Sequence, residues 1–136
     1  MSRRRKAREI ALQTLYAAEV SDSAWEEAFN DRITRRKPSE EAVEYARSLV
    51  TCVIERRGEL DRLITERLEN WEFDRVSVVD RNILRIALAE LLCFPDTPTN
   101  VIINEAIEIA HRFSSLDAGR FVNGILDRLA KEVRAV

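Results

Sequence analysis

The feature that most limits what this chain can fold into is its shortage of turn punctuation. Three glycines (Gly58, Gly119, Gly124) and three prolines (Pro38, Pro95, Pro98) serve 136 residues. A β-sandwich or barrel reverses direction about every 8–12 residues and needs turn formers at each reversal. Helices are therefore expected throughout, and a hydrophobic content of 46% is enough to build their core. The 34% of charged residues, rich in Arg and Glu, suits the outer faces of amphipathic helices. The length fits one domain.

The breaks divide the chain into about seven helical segments. The first spans about Arg4 to Val20 and has two faces. Ala7, Ala11, Thr14 and Ala18 form a narrow small-residue face; Leu12, Leu15 and Tyr16 form a second, with Arg5 and Arg8 beside it. Two faces mean either two partners or a central helix packed on both sides, and the sequence leaves both open. Ser23 and Glu26 have capping-box spacing ahead of Trp25, Ala28, Phe29 and Ile33. The stretch from Thr34 to Pro38 is expected to be a turn, and Ser39 to cap a third helix. Gly58 is expected to stop that helix. A fourth carries Leu60, Leu63, Ile64, Leu68 and Trp71, and Glu72–Asp74 should turn.

The fifth helix, about Val76 to Leu92, is the most apolar and reads as the buried centre. Thr97 is the expected cap of the sixth, with Pro98 in its first turn. Asp117 is the expected cap of the seventh, whose stripe is Val122, Ile125, Leu126, Leu129 and Val133. Gly124 inside that helix costs about 1 kcal/mol against Ala, for which a close helix crossing would compensate.

Catalytic patterns are missing from the sequence. There is one histidine, His111, and no GxSxG elbow or GxxxxGK[ST] phosphate loop. Cys52 and Cys93 match no metal-ligand spacing and are expected to be reduced, buried thiols; with one His they cannot complete a zinc site without carboxylates. No cofactor or metal is expected, and a binding protein is favoured over an enzyme. No apolar run approaches the roughly 18 residues of a membrane span. The start, MSRRRKAREI, leads into no apolar signal core, so a cytoplasmic location is expected.

Charge is distributed unevenly. Arg3, Arg4, Arg5, Lys6 and Arg8 stand together without an acid, although the net charge is −2. A basic arm on an acidic body suits polyanion binding; a solvated helix start is the alternative. Cations at a helix N-terminus oppose its dipole, which tips the balance towards function. Arg75, Arg81 and Arg85 could form a second basic surface or a solvated face. Asp80 continues the apolar line of Ile83, Leu84 and Ala87, either as a first-turn acid with Ser77 or as an anchor for a partner. Phe121, at the rim of the last stripe beside Arg120 and near Asp117, could stack on an unpaired base or simply close the core.

Four stretches taken together, RRRKAREIALQTLY (3–16), NWEFDRVSVVDRNILRIALAELL (70–92), NVIINEAIEIA (100–110) and FVNGILDRL (121–129), resemble the bacterial NusB family of transcription antitermination factors. Residues 20–40 match least. The resemblance implies an all-α fold, one domain of two helical subdomains at about 1–72 and 73–136, and no catalysis. It implies binding of single-stranded boxA RNA in nascent ribosomal-RNA transcripts together with NusE, a small-subunit ribosomal protein, so that RNA polymerase resists termination. Residue by residue, Arg3, Arg4, Arg5, Lys6, Arg8, Asp117 and Phe121 match the family's RNA-contacting region. Tyr16 and Asp80 match its NusE surface. Asn104, Asn123 and Gly124 match motifs read as structural, through buried hydrogen bonds and a close crossing. Two other readings stand beside this one. The first is a helical protein–protein adaptor without RNA binding. The second is a relative of the domain preceding the catalytic part of ribosomal-RNA cytosine methyltransferases, disfavoured because no cofactor loop or catalytic cysteine motif follows before Val136. Some family members form homodimers, and the sequence does not choose between monomer and dimer.

Overall fold

The computed structural model describes residues 3–69 and 72–134. Seven α-helices run in the order α1 (Arg3–Ser21), α2 (Trp25–Arg36), α3 (Glu40–Glu55), α4 (Arg57–Thr65), α5 (Val78–Cys93), α6 (Thr99–Phe113) and α7 (Leu116–Val133). A 3₁₀ turn at Phe73–Arg75 precedes α5, and there is no strand among the described residues. Trp71, expected on the fourth helix, lies outside the described residues.

Two helices form the centre. In α5 the ten consecutive residues Asn82–Leu91 are all buried, and the helix touches α1, α3, α4, α6 and α7. In α1 burial runs from Ala7 to Leu12 and includes Thr14 and Leu15. Its two faces are thus both internal over most of its length, against α2, α3 and α5. The small face of Ala7, Ala11 and Thr14 allows this crowding. Both ends open: Arg3 and Arg4 are exposed at the start, and Tyr16 is 42% exposed near the end.

Burial of the middle of α1 brings the charges of Arg8 and Glu9 inside, and both are paired. Arg8 and Glu90, 3% and 1% exposed, form a two-pronged bridge at 2.6 and 2.8 Å from α1 to α5. Tyr45 donates its hydroxyl to the same carboxylate at 2.7 Å. Burial alone would lower the Arg8 pKa, but Glu90 outweighs it and the guanidinium is held above its ordinary value. Glu9, equally buried, accepts from Arg36 at 3.1 Å and Arg112 at 3.0 Å, tying α2 and α6 to α1.

Helix ends match the expectations in part. Ser39 and Ser77 cap α3 and α5 by accepting from the backbone N–H groups of Ala42 and Asp80. Ser23 does not cap α2, which starts after Ala24 with Glu26 and Glu27 facing its dipole. The helix also runs to Arg36, through the expected turn, and stops at Lys37 in the left-handed region, φ 46°. Gly58 is not a stop: the chain bends at Arg56, and Gly58 lies within α4. Thr97 does not cap α6; it is buried beside Tyr45. Asp117 does not cap α7, because Ser115 accepts from Ala118 instead.

Cys52 and Cys93 also differ from expectation. Cys52 is buried but Cys93 is exposed, and the packing of α3 on α5 joins their sulfurs across 41 residues of sequence. Asn104 and Asn123 are exposed rather than buried. The close approach falls at Gly119, where the His111 ring occupies the place of a side chain. Gly124 is exposed, and a Cβ there would meet nothing within 4 Å. No crossing compensates for its cost, so Gly124→Ala is expected to stabilise the protein by about 0.5–1 kcal/mol. Thermal unfolding should show a midpoint raised by about 2–5 °C; a lowered midpoint would mean that the glycine serves the packing after all.

Candidate functional site

Two grooves meet at the start of α5. The first, about 290 Å³, lies between the N-termini of α5 and α7 and is lined by Arg75, Ser77, Asp80, Ser115, Asp117 and Phe121. The serine caps of both helices stand at its wall. Because Ser115 does the capping, the Asp117 carboxylate is exposed and its side chain takes no part in the cap. Phe121 is half-buried, packed on the core yet lining the cleft. Arg75 is exposed and has no ion pair among the described residues.

Asp80 occupies the centre of this arrangement. Its backbone N–H bonds Ser77, but its carboxylate Oδ1 is buried and accepts no hydrogen bond. A buried carboxylate oxygen without a donor is costly and rare in a finished interior. A donor brought by a ligand at the cleft would satisfy it.

The second groove, about 350 Å³, is bordered by Leu12, Tyr16, Ala28, Val79 and Phe113, with Asp31 and Arg32 at the rim. It is mainly apolar. Val79 belongs to this groove and Asp80 to the other, so one turn of α5 divides them. Tyr16 and Val20, 42% and 58% exposed, extend the apolar surface along the end of α1.

The basic arm lies elsewhere. From Arg4 to Tyr16 the rise of α1 is about 18 Å, and none of Arg3, Arg4, Arg5, Lys6 and Arg8 lines either groove. The arm is also less free than its composition suggests. Arg3 pairs with Glu41 at 2.6 Å in an exposed bridge. Arg5 is gripped by Glu105 at 2.5 Å, which raises its pKa. Arg8 is buried against Glu90 and serves the fold. Arg4 lies over the Tyr45 ring, 5.0 Å from its centre, without an acidic partner. Lys6 is half-buried and has no ion pair among the described residues. Arg4 and Lys6 are therefore the arm's available cations.

Arg81 and Arg85 form neither a second basic surface nor a solvated face. Both bond Glu19 at 2.9 Å, and Arg85, 4% exposed, also holds Asp61 at 2.7 Å. Glu19 thereby fastens the end of α1 to the start of α5 and fixes the two grooves relative to each other. Nothing in its own helix marks it; the signal was the pair Arg81 and Arg85, one turn apart on a buried helix and in need of anions. Among the described residues no group of His, Cys, Asp and Glu is arranged to hold a metal ion. No helix is long and apolar enough to cross a membrane.

Comparison with known proteins extends this picture along the whole chain. The sequence model of the NusB family matches residues 5–131. The transcription antitermination protein NusB of Koribacter versatilis is 43% identical over 97% of this chain and 91% of its own length. The fold is similar to that of T. maritima NusB, with a TM-score of 0.89 and 42% identity over 95% of this chain and 91% of that one. It is equally close, TM-score 0.89 at 28% identity, to a chain from a crystal structure of antitermination factors NusB and NusE in complex with double-stranded RNA, covering 97% and 98%.

Glu19 offers a test of how the grooves are held. Its burial would raise the carboxyl pKa, but Arg85, Asn82 and Arg57 outweigh this and hold it below the ordinary value of 4.5. A depressed carboxylate adds stability above its unfolded pKa and loses it as pH falls through the folded value. Glu19→Gln should therefore cost about 1–3 kcal/mol at pH 7. In urea unfolding, the gap from the parent should hold down to about the unfolded value and narrow below it. A gap that persists unchanged at pH 3 would show that the charge is not what matters.

Proposed function

This chain belongs to the NusB family, and from that premise we propose that it is a non-catalytic, cytoplasmic transcription antitermination factor. In this reading it binds single-stranded boxA RNA of nascent ribosomal-RNA transcripts jointly with NusE, within the complex that lets RNA polymerase resist termination. The observation that carries the reading is the cleft at the junction of α5 and α7. It combines a partly exposed aromatic ring, an arginine without an ion pair among the described residues and the exposed Asp117 carboxylate. An aromatic edge can stack on an unpaired base, while a paired base offers it no face. The reading keeps one domain of two halves at about 1–72 and 73–136, and the residues lining the cleft all belong to the second.

The RNA contacts proposed are Phe121 and Asp117 in the cleft, and Arg3, Arg4, Arg5 and Lys6 on the arm, with Arg8 as the residue that positions them. Arg4 and Lys6 carry the free charge. Arg3 and Arg5 contribute by exchanging a carboxylate for a phosphate, a trade favoured at Arg3, where the pair is exposed and weak. The strand spans the length of α1 between arm and cleft. NusE is assigned to the apolar groove at Tyr16, with Asp80 at its border, where RNA and protein partner meet. A second copy of the chain is the competing occupant of that groove.

Filter-binding titrations with boxA RNA test the RNA half. Phe121→Ala should weaken binding by about 1–3 kcal/mol. The Arg4→Gln, Lys6→Gln double variant should flatten the salt slope by about 1.4, at 0.7 per single-strand contact. A Phe121→Ala protein that melts earlier but binds normally would return this ring to the core. Double-stranded RNA of the same sequence should bind less well.

Calorimetry with NusE tests the protein half. Tyr16→Ala is expected to weaken NusE by at least tenfold, as truncation of a central interface aromatic does. Asp80→Asn should weaken it too, with RNA binding by the isolated chain close to normal. Unchanged NusE affinity in both variants would place the partner elsewhere.

A further inference from the structure

Phe121 borders a second hollow besides the cleft with Asp80. This one, about 220 Å³, lies between the end of α4 and α7 and is lined by Arg67, Glu69, Arg120, Phe121, Gly124 and Arg128. Arg120, Gly124 and Arg128 recur every four residues and so share one face of α7. Phe121 is adjacent to Arg120 on the chain and one turn before Gly124. Three guanidinium groups thus face one lining carboxylate, Glu69. Arg67 is paired with Glu132, and Arg128 is held by Glu69 at 3.1 Å and by the Arg67 carbonyl at 3.2 Å. Arg120 is exposed and has no ion pair among the described residues.

Gly124 is the unexplained member. It weakens an exposed helix, and no neighbour within 4 Å needs the space. The chain itself gains nothing from the missing side chain. A ligand lying flat against the helix backbone would gain, because any side chain there would stand in its way.

We propose that this hollow is a nucleotide subsite that carries the RNA strand past Phe121. A base lies on the bare floor at Gly124 against the edge of Phe121, and the adjoining phosphate is taken by Arg120. Arg128 supplies a second contact by leaving Glu69, an exposed carboxylate whose pairing is weak. Charge selects the occupant: a guanidinium-rich wall around an aromatic edge suits a phosphate and a base, and offers little to an apolar peptide. The subsite is continuous with the Phe121 cleft, and the inference rests on the RNA-binding reading given above.

The experiment uses the full chain and labelled boxA RNA, lengthened by one to four nucleotides at the 3′ end and, in a separate series, at the 5′ end. In the parent protein, affinity should rise at least fivefold with extension at one of the two ends. Arg120→Gln and Gly124→Leu should abolish that rise while binding the unextended RNA like the parent. Arg120→Gln should also flatten the salt slope for the extended RNA by about 0.7. Gly124→Ala serves as the folding control, since it is expected to melt higher than the parent and still lose part of the rise. If no extension improves parental binding, or if the variants keep the full rise, the subsite is overturned and the cleft reading survives. Variants that weaken NusE but leave RNA untouched would assign the hollow to protein and also overturn it. If the parent binds no boxA RNA at any length, the functional reading fails and this inference with it.

Discussion

The whole arrangement depends on how α1 is fastened to α5, and the fastening is ionic. Near one end Arg8 meets Glu90 with both carboxylate oxygens engaged; near the other Glu19 gathers Arg57, Arg81 and Arg85. Such pairs are poor sources of net stability, because removing the ions from water cancels much of their attraction. Their effect here is on register. Apolar ridges on two helices can settle in neighbouring grooves at small cost, whereas a buried guanidinium displaced by one turn would lose its carboxylate. The two clamps leave one rotation and one offset for α1, and these in turn decide which surfaces remain open.

That choice has a cost in charge. Arg8 lies one turn beyond Arg4 on the same helical line, so turning it inward lays Arg4 along Tyr45, whose ring both guanidinium groups approach. Five cations in sequence become two without acidic partners, Arg4 and Lys6. On the far side of the molecule Arg75 and Arg120 are equally unpaired, although neither stands in a basic run. Local sequence charge therefore misplaces the available charge. A run of arginines on a helix that must be buried is partly spent on the interior, while single arginines beside helix ends stay free.

Sequence patterns made the helices legible because each apolar stripe repeats over several turns, and such a signal averages out single exceptions. The caps rest on one side chain each and were less secure. Ser39 and Ser77 behaved as their positions implied. Asp117 lost its place to Ser115, two residues earlier, since either can reach a free N–H and only the backbone path decides between them. Gly58 and Gly124 misled in the same way: glycine permits a stop or a crossing without requiring one. Of the candidate site residues, Phe121 was visible as an aromatic at the edge of its stripe and Tyr16 as one on the second face of α1, and the structure leaves both partly open. Their assignment to RNA and to NusE came from the family resemblance, and no periodicity could supply it. Cys52 with Cys93 was invisible because the pair joins distant parts of the chain through the packing of whole helices, and Glu19 was signalled only indirectly, by Arg81 and Arg85 one turn apart on a buried helix.

The proposed cleft has acids at its helix starts, and this shapes how it could receive an anionic ligand. Two helix N-termini converging on one hollow would ordinarily form a phosphate trap. Asp80 and Asp117 stand there instead, and a phosphate placed between them would meet two like charges. In the proposed mode a strand in the cleft turns its phosphates outward, towards Arg75, and its base inward. A base edge carries N–H donors, and in the proposed mode the exposed Asp117 carboxylate accepts from it, while the buried Asp80 oxygen is left to the protein partner. Phosphate contacts position a strand and base contacts discriminate sequence. In the proposed site the two tasks fall to separate residues: arginine at the rim for attraction, and Asp117 with the Phe121 ring for selection. Such a division is compatible with a net charge of −2. Attraction needs only a few cations in the right places, and a uniformly basic surface would hold any RNA wherever it landed.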